Sequence, residues 1–505
     1  MTTSVALGAR ALTFADLAAL RAGSARLGLS AASRRRMRAG LKALQSLQRG
    51  GKAIYGVNTG FGKLCQVRIP EQEMSRLQAN LLLSHAAGVG LPLPQDEVRL
   101  LLTLKAAGLA QGASGVRPAL AEALCRLFNA GVLPEVPEQG SVGASGDLAP
   151  MAHLSLLLIG RGRTLDGTPG RAALRRAGLT PFTLGPKEGL ALINGTQAMT
   201  AVAIGICLDA RDLLTQADVV GAMSLEALRG TDAAFAGRAM RLRPHPGQAA
   251  SAANLRKLLA HSAIHASHKD CGKVQDAYSL RCMPQVHGTA RDAMAYVEQV
   301  VLREVNAVTD NPVVFRDAVV SCGNFHGEPV AMAMDLAAIA IAEIGGLSER
   351  RTARLVDHDL SGLPPFLVRE EGLNSGFMMA QVTAAALASE NKILCHPASV
   401  DSIPTSANQE DHVSMGMTAA CKARRVLKHT RQILAIEALA AAQGLEFLKP
   451  LRAGKGADAA YRALRRRVKA LARDREMAPD IHAAEGLLAK RMLADAAEGA
   501  VGRLR

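Results

Sequence analysis

Hydrophobic positions follow two different patterns along this chain of 505 residues. Through the first 200 residues, Gly and Pro interrupt short apolar segments, as in YGVNTGFGKL and VLPEVPEQGSVGASGDLAP. Beyond Gly195 the apolar positions keep helical spacing over three long segments, residues 196–228, 328–357 and 409–443. These segments are apolar around most of their circumference, and such helices have to be buried on several sides.

Composition agrees with a mainly α-helical fold. Hydrophobic residues make up 49% and charged residues 21% of the chain, which is typical of a folded core. Aromatic residues reach only 3%, there is no Trp, and the abundant Ala and Leu favour helices over strands. We therefore predict a mainly α protein with a loop-rich N-terminal lobe (residues 1–200). A long helical bundle and a C-terminal helical region should follow (residues 201–505), with the bundle shared in an oligomer.

The net charge of +16 raises the question of a nucleic-acid partner. The densest basic cluster, YRALRRRVKALARDR, keeps its apolar residues Leu464, Val468 and Leu471 at helical spacing. This spacing predicts one helix with a charged, solvated face. Because no zinc-finger spacing or aromatic RNA-binding motif accompanies the cluster, we expect no nucleic-acid partner.

The eight cysteines form no C-x-x-C pair, so we expect neither a metal site nor a disulfide framework, but a reducing, cytoplasmic environment. The N-terminal sequence lacks the basic start and unbroken apolar core of a signal peptide. Apolar stretches such as AMTAVAIGICLDARDLL reach a charged residue before the ~20 residues that a membrane span needs. We therefore expect no membrane association.

Candidate chemistry is found in loops bounded by apolar helices. Each candidate alone has a structural explanation, such as a turn, a helix cap or a pair on one helix face. The candidates are Tyr55, His85, Asn194, Gln197, Gln275, Tyr278, Arg281, Asn324, Phe325, Asn408, Gln409 and Glu410.

The tripeptide Ala-Ser-Gly occurs twice. One copy, Ala113-Ser114-Gly115, precedes VRP, and the other, Ala144-Ser145-Gly146, lies in GSVGASGDLAP. Small-residue tripeptides are common in turns, so the tripeptide itself does not show which copy has a function.

The order of the motifs identifies a resemblance. YGVNTGFG, SHAAGVG, GSVGASGDLAP, LINGTQAM, QDAYSLRC, GNFHGEPVAMAMD and SANQEDHVSMG follow one another between about residues 50 and 420. In this order they resemble the aromatic amino acid ammonia-lyases and aminomutases, and within that family the histidine ammonia-lyases. The resemblance implies elimination of ammonia from L-histidine to give trans-urocanate, in the cytoplasm, by a homotetramer whose active sites combine loops from three subunits.

The resemblance also distinguishes the two tripeptides. In this family the Ala-Ser-Gly of GSVGASGDLAP cyclises and loses two waters, which gives 4-methylidene-imidazol-5-one (MIO). Ala144, Ser145 and Gly146 would form it here, with no external cofactor and no metal. Ala113-Ser114-Gly115 corresponds to a helix–helix turn in the family.

Residue roles follow from the same resemblance. Tyr55 is the expected base for the substrate β-proton, and a nearby positive charge or hydrogen bonds would have to lower its pKa from about 10. Arg281 should bind the substrate carboxylate with a bidentate fork. Asn194 and Tyr278 should hydrogen-bond the prosthetic group or the substrate amine. Gln275 and Asn324 would support the site, and Phe325 would pack near the imidazole.

Substrate choice is expected to depend on His85 with Ala86, and on Glu410. The phenylalanine and tyrosine enzymes usually carry Phe-Leu or His-Leu at the first position and Gln-Asp at the second. A small Ala and a polar His suit an imidazole, which Glu410 can bind or polarise, and Met378 also fits the histidine branch. Three alternatives stay open: an ammonia-lyase or aminomutase of the same family that acts on tyrosine or phenylalanine, elimination of trimethylamine from ergothioneine, and an inactive helical scaffold or basic binding protein.

Overall fold

The computed structural model describes residues 3–269 and 271–505. Helices dominate it, which confirms the predicted mainly α class. The α-helices are α1 Phe14–Arg21, α2 Ala31–Gln48, α3 Met74–His85, α4 Gln95–Ala110, α5 Pro118–Asn129, α6 Leu148–Leu156, α7 Gly170–Arg176, α8 Glu188–Ile193, α9 Gln197–Ala227, α10 Gly237–Leu242, α11 Pro246–Leu258, α12 Ala263–Ser267, α13 Tyr278–Arg281, α14 Met283–Val305, α15 Glu328–Val356, α16 His358–Ser361, α17 Met378–Leu394, α18 Gly416–Glu446, α19 Lys455–Arg465, α20 Ala478–Ala489 and α21 Met492–Val501.

The strands of the described residues pair two by two. They are β1 Thr3–Leu7, β2 Ala25–Leu29, β3 Val89–Pro92, β4 Pro137–Gln139, β5 Val313–Val314 and β6 Val319–Val320. Strand β1 runs parallel to β2, whereas β3 with β4 and β5 with β6 are antiparallel. Short 3-10 turns lie at Gly62–Leu64, Glu71–Glu73, Leu157–Ile159, Ala233–Phe235 and Pro365–Leu367.

The chain forms two compact units, and neither is continuous in sequence. Unit 1 comprises Met1–Ile206, Glu298–Asp335 and Pro397–Cys421. Unit 2 comprises the intervening Cys207–Val297 and Leu336–His396, together with Lys422–Arg505. The predicted division at residue 200 lies close to the first boundary. The predicted N-terminal lobe lacks the two later segments of unit 1. Four of the unit boundaries fall inside long helices, and the apolar pattern of the sequence does not change at those points.

In unit 1, α4 is buried on nearly every side. Every residue from Leu100 to Ala107 is buried, and these two turns of the helix therefore expose no face to solvent. Its one lysine, Lys105, is consequently only 2% exposed. Strands β3 and β4 join the segment after α3 to the segment before α6, with Val89 opposite Gln139.

Unit 2 contains polar clusters inside its helical core. The Arg351 guanidinium donates to both carboxylate oxygens of Glu437, at 2.5 and 2.8 Å, and both side chains are fully buried. Ser224 donates to the same carboxylate. A buried ion pair of this kind is stable only because its remaining hydrogen bonds are satisfied.

Two helix predictions need correction at their ends. The segment 409–443 is helical only from Gly416, because Ser406, Ala407, Asn408 and Met415 have left-handed backbone that no helix accommodates. In the basic cluster, helix α19 ends at Arg465. The three apolar residues of the cluster are nevertheless at most 6% exposed, although only Leu464 lies in the helix, and Val468 and Leu471 follow it. The segment 196–228 is confirmed by α9.

One helix of the described residues, α15, is long and apolar enough to cross a membrane by length and composition. Its most apolar stretch has a mean hydropathy of 1.8, and 61% of that stretch is buried inside the structure. Because the buried core helix of a folded protein has the same length and composition, α15 is weak evidence for a membrane span.

Candidate active site

The second Ala-Ser-Gly copy lies in a loop whose backbone only glycine can follow. Gly143 and Gly146 have φ of 75° and 71°. A Cβ on Gly146 would overlap the backbone carbonyl group of Gly195, so no other residue fits there. Ala144 is buried, whereas the side chain of Ser145 is partly exposed and lines a cavity.

Two main-chain hydrogen bonds hold this loop against the start of α9. The Gly195 amide donates to the Ser145 carbonyl at 3.1 Å, and the Asp147 amide donates to the Gly195 carbonyl at 2.8 Å. The Asp147 carboxylate accepts from the Met199 amide at 2.8 Å and from the Ser141 hydroxyl at 2.8 Å. Burial raises the pKa of Asp147 to about 6, although these hydrogen bonds act in the opposite direction.

The cavity has a volume of about 780 Å³ and is lined by unit 1 residues. Ser145, Tyr55, His85, Asn194 and Glu410, five of the residues that the sequence singled out, meet in its wall. The rest of the wall is mainly apolar. It includes Phe61, Leu64, Val67, Ile69, Leu77, Leu81, Leu148, Leu190 and Ile193.

Tyr55 is half-buried, and its phenol oxygen accepts a hydrogen bond from the Gly62 amide at 3.1 Å. Burial raises the pKa of Tyr55, and the charges of Cys65 and Glu410 raise it further, while the bond from Gly62 lowers it. The expectation that its surroundings lower this pKa is therefore wrong for the groups of a single chain. The charged groups among these causes are the Cys65 thiol and the Glu410 carboxylate, and neither is a cation.

His85 ends helix α3, where its Nδ1 lies 3.0 Å from the Ser84 hydroxyl. Burial lowers the pKa of His85, and the charge of Glu410 raises it. Glu410 is held from the other side, because one of its carboxylate oxygens accepts from the Thr405 hydroxyl at 2.6 Å. The cavity therefore places an imidazole and a carboxylate near each other beside Ser145.

Asn194 caps the C-terminus of α8 and is only 2% exposed. Its side-chain oxygen has no hydrogen-bond partner among the described residues. A buried amide oxygen without a partner costs free energy unless a ligand or water satisfies it. Its position in the cavity wall is therefore that of a binding group.

Eight of the twelve candidate side chains do not line this cavity, and they include Gln197, Asn408 and Gln409. Gln275, Tyr278 and Arg281 belong to unit 2, where Tyr278 is 70% exposed and the Arg281 guanidinium lies 4.5 Å from the centre of its ring. Asn324 is exposed and donates to the Val308 carbonyl at 3.2 Å, and Phe325 is half-buried.

Two buried residues near the tripeptide escaped the sequence analysis. Asp147 was visible only as part of the motif GSVGASGDLAP, and Lys105 lies in an apolar helix without any motif of its own. Gln78, which is also buried, was not predicted either. Its side chain links the Gly56 carbonyl to the Leu190 amide inside unit 1. A buried polar residue in an apolar helix is the signal that could have identified Lys105 and Gln78.

The first tripeptide copy and the cysteines behave as structural residues. Ala113-Ser114-Gly115 lies between α4 and α5, where Ser114 is 2% exposed and Gly115 has a φ of 68°. No disulfide bond joins any two of the eight cysteines, all of which lie in the described part of the chain. Among the described residues, no group of three or more His, Cys, Asp or Glu side chains could hold a metal ion.

Known proteins resemble the chain over nearly its full length. The sequence profile of the aromatic amino acid lyase family matches residues 12–466. A histidine ammonia-lyase from Anaeromyxobacter sp. (strain K) is 54% identical over 496 residues, which cover 95% of this chain and 98% of the relative. The crystal structure of a histidine ammonia-lyase from Trypanosoma cruzi has a TM-score of 0.90 and 42% identity, covering 99% of this chain and 96% of that one. A tyrosine aminomutase from Streptomyces globisporus has a TM-score of 0.94 and 36% identity, covering 100% of both chains.

Proposed function

This chain belongs to the aromatic amino acid lyase family, and we propose that it eliminates ammonia from L-histidine to release trans-urocanate. The observation that carries the proposal is the single cavity in which Ser145, Tyr55, Asn194, His85 and Glu410 meet. We expect Ser145 to contribute to the prosthetic group and Tyr55 to act as the base. Asn194 is expected to hydrogen-bond the prosthetic group or the substrate amine. His85 and Glu410 are the groups expected to recognise an imidazole.

Aromatic amino acid lyases depend on MIO, and we propose that Ala144, Ser145 and Gly146 form it here. The Gly146 nitrogen attacks the Ala144 carbonyl carbon, the resulting hydroxyl leaves as one water, and the Ser145 β-hydroxyl leaves as the second. The residues fit this closure. Gly146 has left-handed backbone with no room for a Cβ, and Ser145 keeps its side chain toward the cavity.

The group supplies an electrophile, and the side chains of the wall supply acids, bases and hydrogen bonds. Tyr55 takes the β-proton, the electron pair of the broken carbon–hydrogen bond forms the new double bond, and the carbon–nitrogen bond breaks so that the amine leaves as ammonia with its bonding electrons. The unpartnered Asn194 oxygen accepts a hydrogen bond from the substrate amine or holds the prosthetic group. Glu410 and His85 bind the imidazole.

The substrate carboxylate needs a cation, and we assign Arg281 of a neighbouring subunit to it. Tyr278 would arrive with Arg281, whose positive charge would then lower the pKa of Tyr55, which burial raises within one chain. Gln275, Asn324 and Phe325 keep the supporting roles that the resemblance implies. The assembly is then the homotetramer of the family.

Histidine is preferred over tyrosine on chemical grounds. Glu410 places a carboxylate in the cavity wall, and desolvating it against a phenyl ring would cost a few kcal/mol. The tyrosine aminomutase likeness is one of fold, which does not determine substrate. The eight described cysteines form no disulfide, which is compatible with the reducing cytoplasm in which we expect this enzyme to act.

The test is to incubate purified protein with L-histidine and follow the near-ultraviolet absorbance of urocanate, with Ser145→Ala as the control. We expect product from the wild type, none from Ser145→Ala, and a mature mass two waters below the translated mass in the wild type alone. Product from L-tyrosine or L-phenylalanine but not from L-histidine would replace the substrate assignment. A folded wild type with its full translated mass and no product would indicate an inactive scaffold.

A further inference from the structure

Lys105 is a buried charged group to which the proposed reaction gives no role. It lies on α4, which is surrounded by apolar side chains, and it is only 2% exposed. Removing an ammonium group from water costs several kcal/mol, so a buried lysine persists where its nitrogen makes good hydrogen bonds. Its side chain does not line the cavity.

The Lys105 nitrogen donates to two main-chain carbonyls at the end of α8. The acceptors are the Ala191 carbonyl at 3.0 Å and the Asn194 carbonyl at 2.7 Å. The last carbonyls of a helix have no partner within the helix, so a side-chain donor there fixes where the helix ends. Lys105 therefore bonds the same residue whose side-chain oxygen is unpartnered in the cavity wall.

The next residue of that turn touches the tripeptide. Gly195 has a φ of 108°, and its amide and carbonyl bond the Ser145 carbonyl and the Asp147 amide. The turn Asn194–Gly195 thus connects Lys105 to both halves of the site. One half is the Asn194 amide, and the other is the backbone that has to cyclise.

We propose that Lys105 is a positioning residue that holds the Asn194–Gly195 turn. Through this turn it fixes the Asn194 amide in the cavity and the backbone against which Ala144, Ser145 and Gly146 lie. The role in turnover rests on the proposed function, whereas the role in holding the tripeptide backbone does not.

The charge state of Lys105 does not decide this role. Burial and the charge of Lys187 lower the pKa of Lys105 to about 7, while Asp310 and Asp147 raise it. A neutral amine still has two N–H donors, and two carbonyls accept from it. The hydrogen bonds to the turn therefore survive deprotonation.

The experiment is Lys105→Met, which keeps an unbranched apolar side chain and removes the donors. We expect slower or incomplete loss of the two waters, measured by intact mass. In the fraction that matures we expect kcat for L-histidine to fall about 100-fold with little change in KM, because small displacements of a positioning group reduce rate more than binding. Hydrogen exchange at the Gly195 and Asp147 amides should accelerate about tenfold or more, with smaller changes elsewhere.

A double-mutant cycle separates positioning from general destabilisation. If Lys105 acts through Asn194, then Lys105→Met combined with Asn194→Ala loses little more activity than Asn194→Ala alone. The matched control is Asn129→Leu. Asn129 also bonds main-chain groups, the Leu27 amide and carbonyl, but neither residue lines the cavity. Its effect should add to that of Asn194→Ala.

Full maturation of Lys105→Met with unchanged kcat would contradict the proposal. It would also be contradicted if the effects of Lys105→Met and Asn194→Ala on activity were additive and amide hydrogen exchange accelerated throughout unit 1. If Lys105→Met does not fold, Lys105→Gln is measured in the same way, since its shorter amide reaches at most one of the two carbonyls. Failure of both variants to fold would assign Lys105 to general stability and overturn the proposal. If the wild type matures but does not use L-histidine, the proposed substrate fails, while intact mass and hydrogen exchange still test Lys105.

Discussion

At the scale of single residues, the cavity contains one feature that distinguishes an imidazole from a phenyl ring. Among the described residues that line it, Glu410 is the one acid, and the Thr405 hydroxyl orients its carboxylate at 2.6 Å. His85 lies in the same wall, and the charge of Glu410 acts on its pKa. We therefore expect substrate choice to depend on charge at this one position more than on the shape of the apolar wall.

Glu410→Gln removes this charge and keeps an oxygen for the Thr405 hydroxyl. We expect kcat/KM for L-histidine to fall about 100-fold, which is at the lower end of the rate effects known for a positioned acid or base. The Tm should be nearly unchanged. Steady-state kinetics separates the two roles: a rise in KM alone indicates binding, and a fall in kcat indicates polarisation. Thr405→Val, which keeps the charge, should have the smaller effect. Unaltered kinetics in Glu410→Gln would exclude Glu410 from the site.

At the scale of secondary-structure elements, the site is assembled by short pairings between loops. Strand β3 follows His85 and pairs with β4, which leads into the tripeptide loop. The Gly88 amide donates to Nε2 of His153 at 3.0 Å, and His153 lies on α6, the helix that follows the tripeptide. Two contacts thus connect the His85 loop to the Ser145 loop, and the second requires a neutral imidazole.

We expect the link through His153 to weaken in acid. Burial lowers the pKa of His153 below its ordinary value of 6.5. As the pH falls, the unfolded chain therefore binds a proton at His153 before the folded chain does. The free energy of unfolding decreases as the pH drops through 6.5 toward the lower pKa of His153 in the folded state. His153→Gln, whose oxygen can accept from the Gly88 amide without titrating, should lose part of this dependence.

The measurement is urea unfolding of both proteins at about pH 7.5 and about pH 5.5. Half-buried His85 and buried His287 also have lowered pKa values, so His153→Gln should keep part of the pH dependence. The wild type should lose more stability than this variant between the two pH values. His482→Gln, at an exposed position, is the matched control. Equal pH dependence in the wild type and His153→Gln would show that the link does not titrate.

At the scale of the whole molecule, we propose that neighbouring subunits share each active site. The cavity is lined by unit 1 residues, whereas Arg281 and Tyr278 belong to unit 2 and do not line it. Large apolar side chains are exposed on the long helices, among them Met332 at 61%, Met379 at 62% and Ile393 at 72%. Such surfaces are typical of subunit interfaces, which supports the proposed homotetramer.

Co-expression of two inactive variants tests whether subunits share sites. If Arg281 reaches the cavity of another subunit, then chains carrying Ser145→Ala and chains carrying Arg281→Met should form mixed oligomers in which about a quarter of the sites are intact. Each variant alone should be inactive. If both residues act within one chain, no mixture recovers activity. Light scattering on the same samples should give the mass of four chains of 52.9 kDa.

The sequence by itself determined the helical class and the chemistry. The helical spacing of residues 196–228 requires burial on several sides, and α9 confirms it, because a long apolar helix has no stable alternative in water. The motif GSVGASGDLAP distinguished Ser145 from Ser114, and the structure places Ser145 at the cavity and buries Ser114. Tyr55, His85, Asn194 and Glu410 were predicted from their loops and meet in one wall.

Only the tertiary structure decided which of these groups share a cavity and what holds them. The start of α18 at Gly416 depends on the left-handed backbone of the preceding loop, which apolar spacing does not encode. The effect of Glu410 on the pKa of Tyr55 arises between residues that are distant in sequence. Lys105 resembles any lysine in an apolar helix until its nitrogen is found 2.7 Å from the Asn194 carbonyl. Such contacts depend on long-range packing, whereas sequence patterns report mainly local preference and burial.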